Sequence, residues 1–186
     1  VAPAATHAPL QVPKPWIDRF RGRFDQGWDV YREQAFARQK ALGVIPKDAA
    51  LASRPEGVPA WNSLSPEQQR INARQMEVFA GFSAEVEHEM ARVIAAAQSL
   101  SSKRQTLVGY ILGDNGSSAE GGVAGTTSEV AQGNGLGAEA VVKASQLDDL
   151  GGPKYENHMP FGWAWAANTP FQYYKQVVSH LGGIRN

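Results

Sequence analysis

The sequence predicts an α/β fold, in which helices pack on a mainly parallel sheet. Two observations support this prediction: a long helical pattern from Ser65 to about Ser99, and an apolar run from Thr106 to Gly113 that ends abruptly in Asp114-Asn115-Gly116. Apolar runs bounded by turn residues are typical of buried strands. A helix, a short polar connection and then a buried strand is the order found in α/β layers.

The composition narrows the possible classes of protein. The chain has 186 residues, of which 42% are hydrophobic, so it can bury a sizeable core. It has 18 Lys and Arg residues against 18 Asp and Glu residues, so no net field directs it toward nucleic acid or an anionic membrane. The absence of cysteine excludes disulfides, zinc-thiolate sites and thiol nucleophiles. No stretch approaches the roughly 20 apolar residues that span a bilayer. We therefore expect neither a nucleic-acid partner nor a membrane partner.

The first 62 residues are predicted to form loops around a short helical stretch and one longer helix. Four prolines in residues 1–16 predict an extended or turning segment, after which a short helix can follow. Taken alone, His7 within this segment is typical of a surface loop. Residues 24–43 fit an amphipathic helix that ends at Gly43, and residues 45–62 are predicted to be a loop.

The next helix has the clearest signals in the chain. Ser65 is a suitable N-cap, Pro66 occupies the first helical position, and Gln68 is in capping-box register. Apolar residues then recur at spacings of three or four from Ile71 to Ile94, which predicts one buried stripe.

The C-terminal third is rich first in glycine and then in aromatic residues. The glycines of residues 116–153 match neither a phosphate-binding loop nor a dinucleotide fingerprint, so no nucleotide site is predicted. A helix is expected from Ala138 to Leu147, and helical spacing resumes from Thr169 to His180. Taken alone, Lys175 in this last pattern is typical of a solvated charge.

Asp114 and Asn115 are the candidate metal ligands. They follow the predicted strand, and the carboxyl ends of parallel strands deliver side chains to ligands. A carboxylate and an amide carbonyl supply hard oxygens, which suit calcium or magnesium. The alternative is an ordinary Asp-Asn-Gly turn without a metal.

Six stretches, taken in order, resemble the sulfatase family of the alkaline-phosphatase-like superfamily, and bacterial arylsulfatases in particular. The likeness extends over essentially the whole chain. The stretches are Ala5-Thr6-His7-Ala8-Pro9-Leu10-Gln11-Val12-Pro13, Gly22-Arg23-Phe24-Asp25-Gln26-Gly27-Trp28-Asp29, Arg38 to Pro46, Met76-Glu77-Val78-Phe79-Ala80-Gly81, Leu112-Gly113-Asp114-Asn115-Gly116, and Gly162-Trp163-Ala164 through Thr169-Pro170-Phe171 to Lys175 and Gly182-Gly183-Ile184-Arg185.

The resemblance implies a fold and a chemistry. It implies part of a three-layer sandwich with a mainly parallel sheet, and hydrolysis of small-molecule sulfate esters by a formylglycine nucleophile with one bound calcium ion. By the same resemblance, Asp114 and Asn115 are calcium ligands. His7 contacts the sulfate and protonates the leaving oxygen, and Lys175 holds a sulfate oxygen.

Three aromatic residues admit two interpretations. Trp163, Trp165 and Tyr174 could line the mouth of a site for an aryl substrate, or they could belong to the core.

Two parts of the family pattern are missing from these residues. The nucleophile motif Cys/Ser-x-Pro-x-Arg is absent, since Ser53-Arg54-Pro55-Glu56-Gly57 lacks the final arginine and follows His7. The family's first pair of calcium aspartates is also missing. We therefore expect residues 1–186 to be the central portion of a single sulfatase catalytic domain, incomplete at both ends and inactive on its own.

Two further hypotheses stay open at this stage. The chain could belong to a phosphodiesterase or phosphonate hydrolase of the same superfamily, or it could be a non-catalytic remnant that acts as a binding module.

Overall fold

The computed structural model describes residues 1–3, 5–100, 105, 107–111 and 115–179. In these residues, five α-helices are joined by long loops. The helices are α1 (Lys14–Asp18), α2 (Gly27–Ala41), α3 (Pro66–Leu100), α4 (Glu129–Gly133) and α5 (Phe161–Ala167), and short 3-10 turns cover Trp61–Ser63 and Ala144–Gln146. No helix within the described ranges is long and apolar enough to cross a membrane.

The start of α3 confirms the predicted capping box. The Ser65 backbone N–H donates to Gln68 Oε1 at 2.9 Å, and the Gln68 backbone N–H donates to Ser65 Oγ at 3.3 Å. The helix is buried from Ile71 to Gly81 apart from a half-buried Phe79, and the following turns are more exposed. The apolar residues of the predicted stripe are therefore buried in the first half of α3, but the polar Asn72, Arg74, Gln75 and Glu77 between them are buried as well. In the second half, Val93 is 41% exposed.

A cluster of tryptophans forms the centre of the main core. Trp28 of α2 and Trp163 of α5 are fully buried, and Trp61 between α2 and α3 is 5% exposed. Their rings meet edge to face, with centroids 4.8 Å apart for Trp28 and Trp61 and 5.8 Å apart for Trp28 and Trp163. Such aromatic pairs contribute about 0.5–1.5 kcal/mol each beyond the area they bury. Gly162 lies against the Trp28 ring, where a Cβ atom would overlap the indole.

The two interpretations of the C-terminal aromatics are resolved in favour of the core. Trp163, Trp165 and Tyr174 are at most 7% exposed, and all three belong to the same hydrophobic cluster. They do not line the mouth of a site.

Arg32 joins α2 to the segment that follows α5. Its side chain is 1% exposed, and its guanidinium stacks on Trp165 with Cζ 4.4 Å from the ring centroid. The same guanidinium donates to the backbone carbonyl oxygens of Trp165, Ala52, Pro170 and Phe171 and to the Thr169 hydroxyl at 2.7–3.4 Å. Burial lowers the pKa of Arg32 to about 10, so it stays charged at neutral pH.

The predicted α/β sandwich with a mainly parallel sheet is wrong. The structure is 43% helix and 2% strand, and the described part of the chain contains two isolated bridges instead of a sheet, between Thr126 and His158 and between Ser128 and Glu156.

The wrong fold prediction rests on the strand expected from Thr106 to Gly113. Residues 107–111 are not a strand, and the apolar Leu107 and Ile111 are 97% and 92% exposed. A strand needs a neighbouring strand to pair its backbone N–H and C=O groups, and the described residues offer none. Thr106, Leu112 and Gly113 lie outside the described residues.

The helix predictions had mixed outcomes. The helix in residues 24–43 is confirmed as α2, and the expected loop over 45–62 is confirmed apart from the 3-10 turn at its end. The helix from Ala138 to Leu147 is wrong, because turns and one 3-10 turn cover most of that range.

The helix expected from Thr169 is also wrong as far as residue 179. Pro170 disfavours helical backbone at Thr169. Tyr173 and Gln176 adopt φ angles of 53° and 75°, which a right-handed helix does not allow. The helix of this region is α5, which ends before Thr169.

Candidate active site

A cavity of about 350 Å³ brings together most of the predicted site residues. His7, Asn115 and Lys175 all line it, together with Thr6, Phe79 and residues 116–118. Asp114, the remaining predicted site residue, lies outside the described residues. His7, Asn115 and Lys175 are far apart in the chain, and only the family resemblance had grouped them. In the structure they line the same cavity.

His7 reaches the cavity because the residues after it are anchored in the core. Leu10 is fully buried and Val12 is 7% exposed. The Val12 N–H donates to the Gly151 carbonyl oxygen at 2.8 Å. The His7 side chain itself is exposed, and its Nδ1 lies 3.2 Å from the Ala8 carbonyl oxygen. When Nδ1 carries the proton and donates to this oxygen, Nε2 is left with its lone pair.

Lys175 is positioned by its neighbours in the chain and by the loop after Asn115. Tyr174 is buried and stacks on Phe161 with ring centroids 5.1 Å apart. The Lys175 backbone N–H donates to the Ser117 carbonyl oxygen at 3.0 Å. The expectation of a solvated lysine, which followed from the residue type alone, is therefore wrong, since the side chain is 20% exposed.

The His7 and Lys175 side chains contact each other directly. Lys175 Nζ lies 3.1 Å from His7 Nε2. Since an ammonium group can only donate, His7 Nε2 accepts in this contact. This assignment agrees with a proton on Nδ1 facing Ala8. The cavity wall thus carries a lysine ammonium and an imidazole nitrogen side by side.

Glu120 is a third charged member of the site, and sequence reasoning missed it. Its Oε1 lies 3.3 Å from Lys175 Nζ and accepts from Gln176 Nε2 at 3.0 Å. A single glutamate in a glycine-rich loop carries no local signal that would have distinguished it.

His158 lies behind Glu120 and was also missed. It is 2% exposed, its Nδ1 lies 3.1 Å from the Met159 carbonyl oxygen, and its Nε2 lies 3.8 Å from Glu120 Oε2. Burial lowers the pKa of His158, although the Met159 carbonyl and Glu120 act in the opposite direction. His158 is therefore neutral at pH 7.

Asn168 links the two loops that form the cavity. It is 1% exposed, its Oδ1 accepts from the Ser117 N–H at 2.8 Å, and its Nδ2 donates to the Tyr173 carbonyl oxygen at 3.1 Å. The signal that could have found it is its position at the C-cap of α5, directly before Thr169-Pro170.

A metal ion has limited room among His7, Glu120 and Glu129. Donor atoms of His7, Glu120 and Glu129 lie within 4.8 Å of one another, a spacing that could suit a metal ion. However, the Lys175 ammonium already contacts two of the three residues. We therefore assign no metal centre to this cluster. Of the two predicted metal ligands, Asn115 lies within the described residues. It is exposed on the cavity wall and can offer its side-chain oxygen to a metal ion.

Comparisons with known proteins match the whole chain to one family. The statistical model of the sulfatase family matches residues 1–186. An arylsulfatase of Klebsiella aerogenes is 31% identical over 183 residues, which is 97% of this chain and 37% of that protein. An uncharacterized sulfatase of Schizosaccharomyces pombe is 33% identical over 186 residues, which is 97% of this chain and 31% of that protein. The chain thus spans about a third of the length of these relatives.

Proposed function

Because the chain belongs to the sulfatase family, we propose that the natural protein hydrolyses sulfate esters of the aryl type at the cavity between His7 and Lys175. The observation that carries this proposal is the 3.1 Å contact between Lys175 Nζ and His7 Nε2 on the wall of a cavity. A sulfate ester needs a positive group at its oxygens and a proton for its leaving oxygen, and these two side chains can supply them.

Lys175 is proposed to bind a sulfate oxygen. Its ammonium is held by its contacts to His7 and Glu120, and the side chain borders the cavity. An ammonium placed in advance beside a partly buried anion stabilises negative charge more than a fully solvated one does. Its contribution is greatest where charge builds up on the departing oxygen and the sulfuryl group.

His7 is proposed to donate a proton to the leaving oxygen from Nε2. In the structure this atom accepts from Lys175 and carries no proton, so a bound sulfate would draw the ammonium to its own oxygens and leave Nε2 free to take a proton from solvent. The resulting imidazolium gives that proton to the ester oxygen as the sulfur–oxygen bond breaks, which returns His7 to the neutral form with its proton on Nδ1. The contact between Nδ1 and the Ala8 carbonyl oxygen keeps the ring oriented during the transfer.

Calcium is proposed as the metal, held by Asn115 and Asp114. Asn115 fits this role, since it lines the cavity and offers the oxygen type that calcium prefers. Bound calcium would neutralise charge on the sulfate oxygens. The proposed nucleophile is the hydrate of formylglycine. It is not assigned to a residue here, because the 186 residues contain no cysteine and no Ser-x-Pro-x-Arg stretch.

The proposal is tested by the substrate preference of the natural protein, expressed from its own reading frame. We expect its kcat/KM for 4-nitrophenyl sulfate to exceed that for bis(4-nitrophenyl) phosphate, and we expect chelation of calcium to remove the sulfatase activity. A preference for the phosphate diester would instead indicate a phosphodiesterase of the same superfamily. Turnover of neither compound, together with retained binding of inorganic sulfate, would indicate a non-catalytic binding module.

A further inference from the structure

We propose that Glu120 is a positioning residue, which fixes the Lys175 ammonium in the orientation that receives the anionic group of the substrate. This inference rests on the proposed function and assigns a role to a residue outside the four that the family resemblance identified.

The contacts of the ammonium support this role. Lys175 carries three N–H bonds. One can point to His7 Nε2 at 3.1 Å and one to Glu120 Oε1 at 3.3 Å. The third is then available to an anion in the cavity that Lys175 lines. A lysine side chain is long and flexible, so a fixed carboxylate beside it selects one of many possible orientations.

Glu120 can act as a fixed point because its loop is held from behind. Gly121 packs so closely on residues 158–159 that a Cβ atom would overlap the Met159 carbonyl oxygen. Thr126 and His158 exchange two backbone hydrogen bonds of 3.0 Å, and the Phe161 N–H donates to the Gly122 carbonyl oxygen at 2.8 Å. The loop that carries Glu120 is therefore attached to the segment before α5.

The two carboxylate oxygens of Glu120 are also in different surroundings. Oε1 faces Lys175 and accepts from Gln176, whereas Oε2 is buried, has no hydrogen-bond donor among the described residues and faces His158 Nε2 at 3.8 Å. A buried carboxylate oxygen without a donor is costly unless a nearby positive charge compensates for it. Lys175 supplies that charge, so the carboxylate and the ammonium stabilise each other's position.

A double-mutant cycle in the natural protein tests this role through its coupling to Lys175. Glu120→Gln keeps the size of the side chain and removes its charge. We expect it to lower kcat for 4-nitrophenyl sulfate by about 10- to 100-fold with a smaller change in KM, because a misplaced binding group costs about this much. In a Lys175→Ala background, measured in single-turnover reactions, Glu120→Gln is expected to have no further effect.

A matched control separates this contact from a general effect of charge. Glu156→Gln removes the same charge from an exposed carboxylate on the segment before α5, which does not line the cavity. We expect Glu156→Gln to change kcat by about 2-fold or less.

Each outcome of the cycle decides a different question. If the effects of Glu120→Gln and Lys175→Ala multiply, or if Glu120→Gln keeps wild-type kcat, the positioning role is overturned. A variant that merely folded poorly would lose activity equally in both backgrounds, which is also the multiplicative result. If Lys175→Ala keeps wild-type activity, the proposed function of the cavity fails, and the role of Glu120 fails with it.

Discussion

His7 and Lys175 are separated by 168 positions in the chain, and their side-chain nitrogens lie 3.1 Å apart. At the scale of single residues, two buried anchors explain this contact. Leu10 fixes the segment that carries His7, and Tyr174 fixes the backbone beside Lys175. At this scale, the polar side chains that meet at the cavity are carried by backbone that lies beside buried residues.

A test of His7 uses two sulfate esters whose leaving groups differ in basicity. In the natural protein, we expect His7→Ala to reduce kcat/KM for phenyl sulfate by about 100-fold or more, because a basic phenoxide needs a proton as it departs. The reduction for 4-nitrophenyl sulfate should be much smaller, since that phenoxide departs readily without one. Equal losses for both esters would show that His7 binds sulfate without donating a proton.

The buried His158 predicts a pH dependence of stability. Its pKa is lowered in the folded protein, so below the ordinary value of 6.5 the unfolded chain binds a proton that the folded chain resists. The stability that neutral His158 contributes is complete above pH 6.5 and is lost as the pH falls through that value toward the lower folded pKa. Among the described residues, the titratable groups that act on His158 are Glu120, Glu129 and His7.

The measurement is the free energy of unfolding of wild type and His158→Gln from about pH 7.5 to pH 5. We expect the advantage of wild type over the variant to shrink as the pH falls. If the advantage grew in acid, protonated His158 would be stabilised by Glu120, and the assignment of a neutral, buried imidazole would be wrong.

At the scale of secondary-structure elements, α3 shows what local sequence can determine. Its first turn was predictable because capping depends on residues only three positions apart, Ser65 and Gln68. The helix expected from Thr169 was not predicted correctly, because the local spacing of apolar residues says nothing of the left-handed backbone at Tyr173 and Gln176. The backbone of this segment is instead held by the hydrogen bonds that the Asn168 side chain makes with the Ser117 N–H and the Tyr173 carbonyl oxygen.

The cap of α3 gives a test at this scale. Ser65→Ala removes the side-chain acceptor for the Gln68 N–H and is expected to lower the free energy of unfolding by about 1 kcal/mol. Ser99→Ala on the exposed last turn of the same helix is the control, with an expected change within about 0.5 kcal/mol. Urea titrations check both values. Equal effects of the two substitutions would mean that the cap contributes nothing specific.

At the scale of the whole molecule, long-range contacts replace the sheet that the sequence suggested. Arg32 is the clearest example, since one buried guanidinium donates to the carbonyl oxygens of Ala52, Trp165, Pro170 and Phe171. The tryptophan cluster lies beside it and joins α2 to α5. Together these contacts fix the segment that leads from α5 to Lys175.

Substitution of Arg32 by lysine tests this organisation. Lysine keeps the positive charge but lacks the planar set of five donors, so several buried carbonyl oxygens would lose their partners. We expect Arg32→Lys to lower the free energy of unfolding by about 2–4 kcal/mol. The control is Arg38→Lys on the exposed side of α2, with an expected change within about 0.5 kcal/mol. A loss for Arg32→Lys no larger than that of the control would contradict its role.

The sequence was informative about some features of this molecule and silent about others, for physical reasons. The N-terminal cap of α3 and the burial of apolar residues in its first half depend on neighbours within one or two turns, so they could be predicted. His7, Asn115 and Lys175 were identified through the family resemblance, and the structure places them at one cavity. Glu120, His158 and Arg32 could not be predicted, because their roles exist only when distant segments meet. The strand prediction failed because an apolar run indicates burial only when something covers it, and Leu107 and Ile111 are exposed.

The most direct test of the central claim is the kcat/KM of the natural protein for 4-nitrophenyl sulfate after Lys175→Ala, compared with Lys154→Ala. Lys154 is exposed, pairs with Asp149 and lies outside the cavity wall, so its loss should change kcat/KM by about 2-fold or less. Loss of Lys175 should lower kcat/KM by about 100-fold or more, because it removes a charged group from the sulfate oxygens. Wild-type kcat/KM in the Lys175→Ala variant would show that the cavity between His7 and Lys175 is not where sulfate esters are hydrolysed.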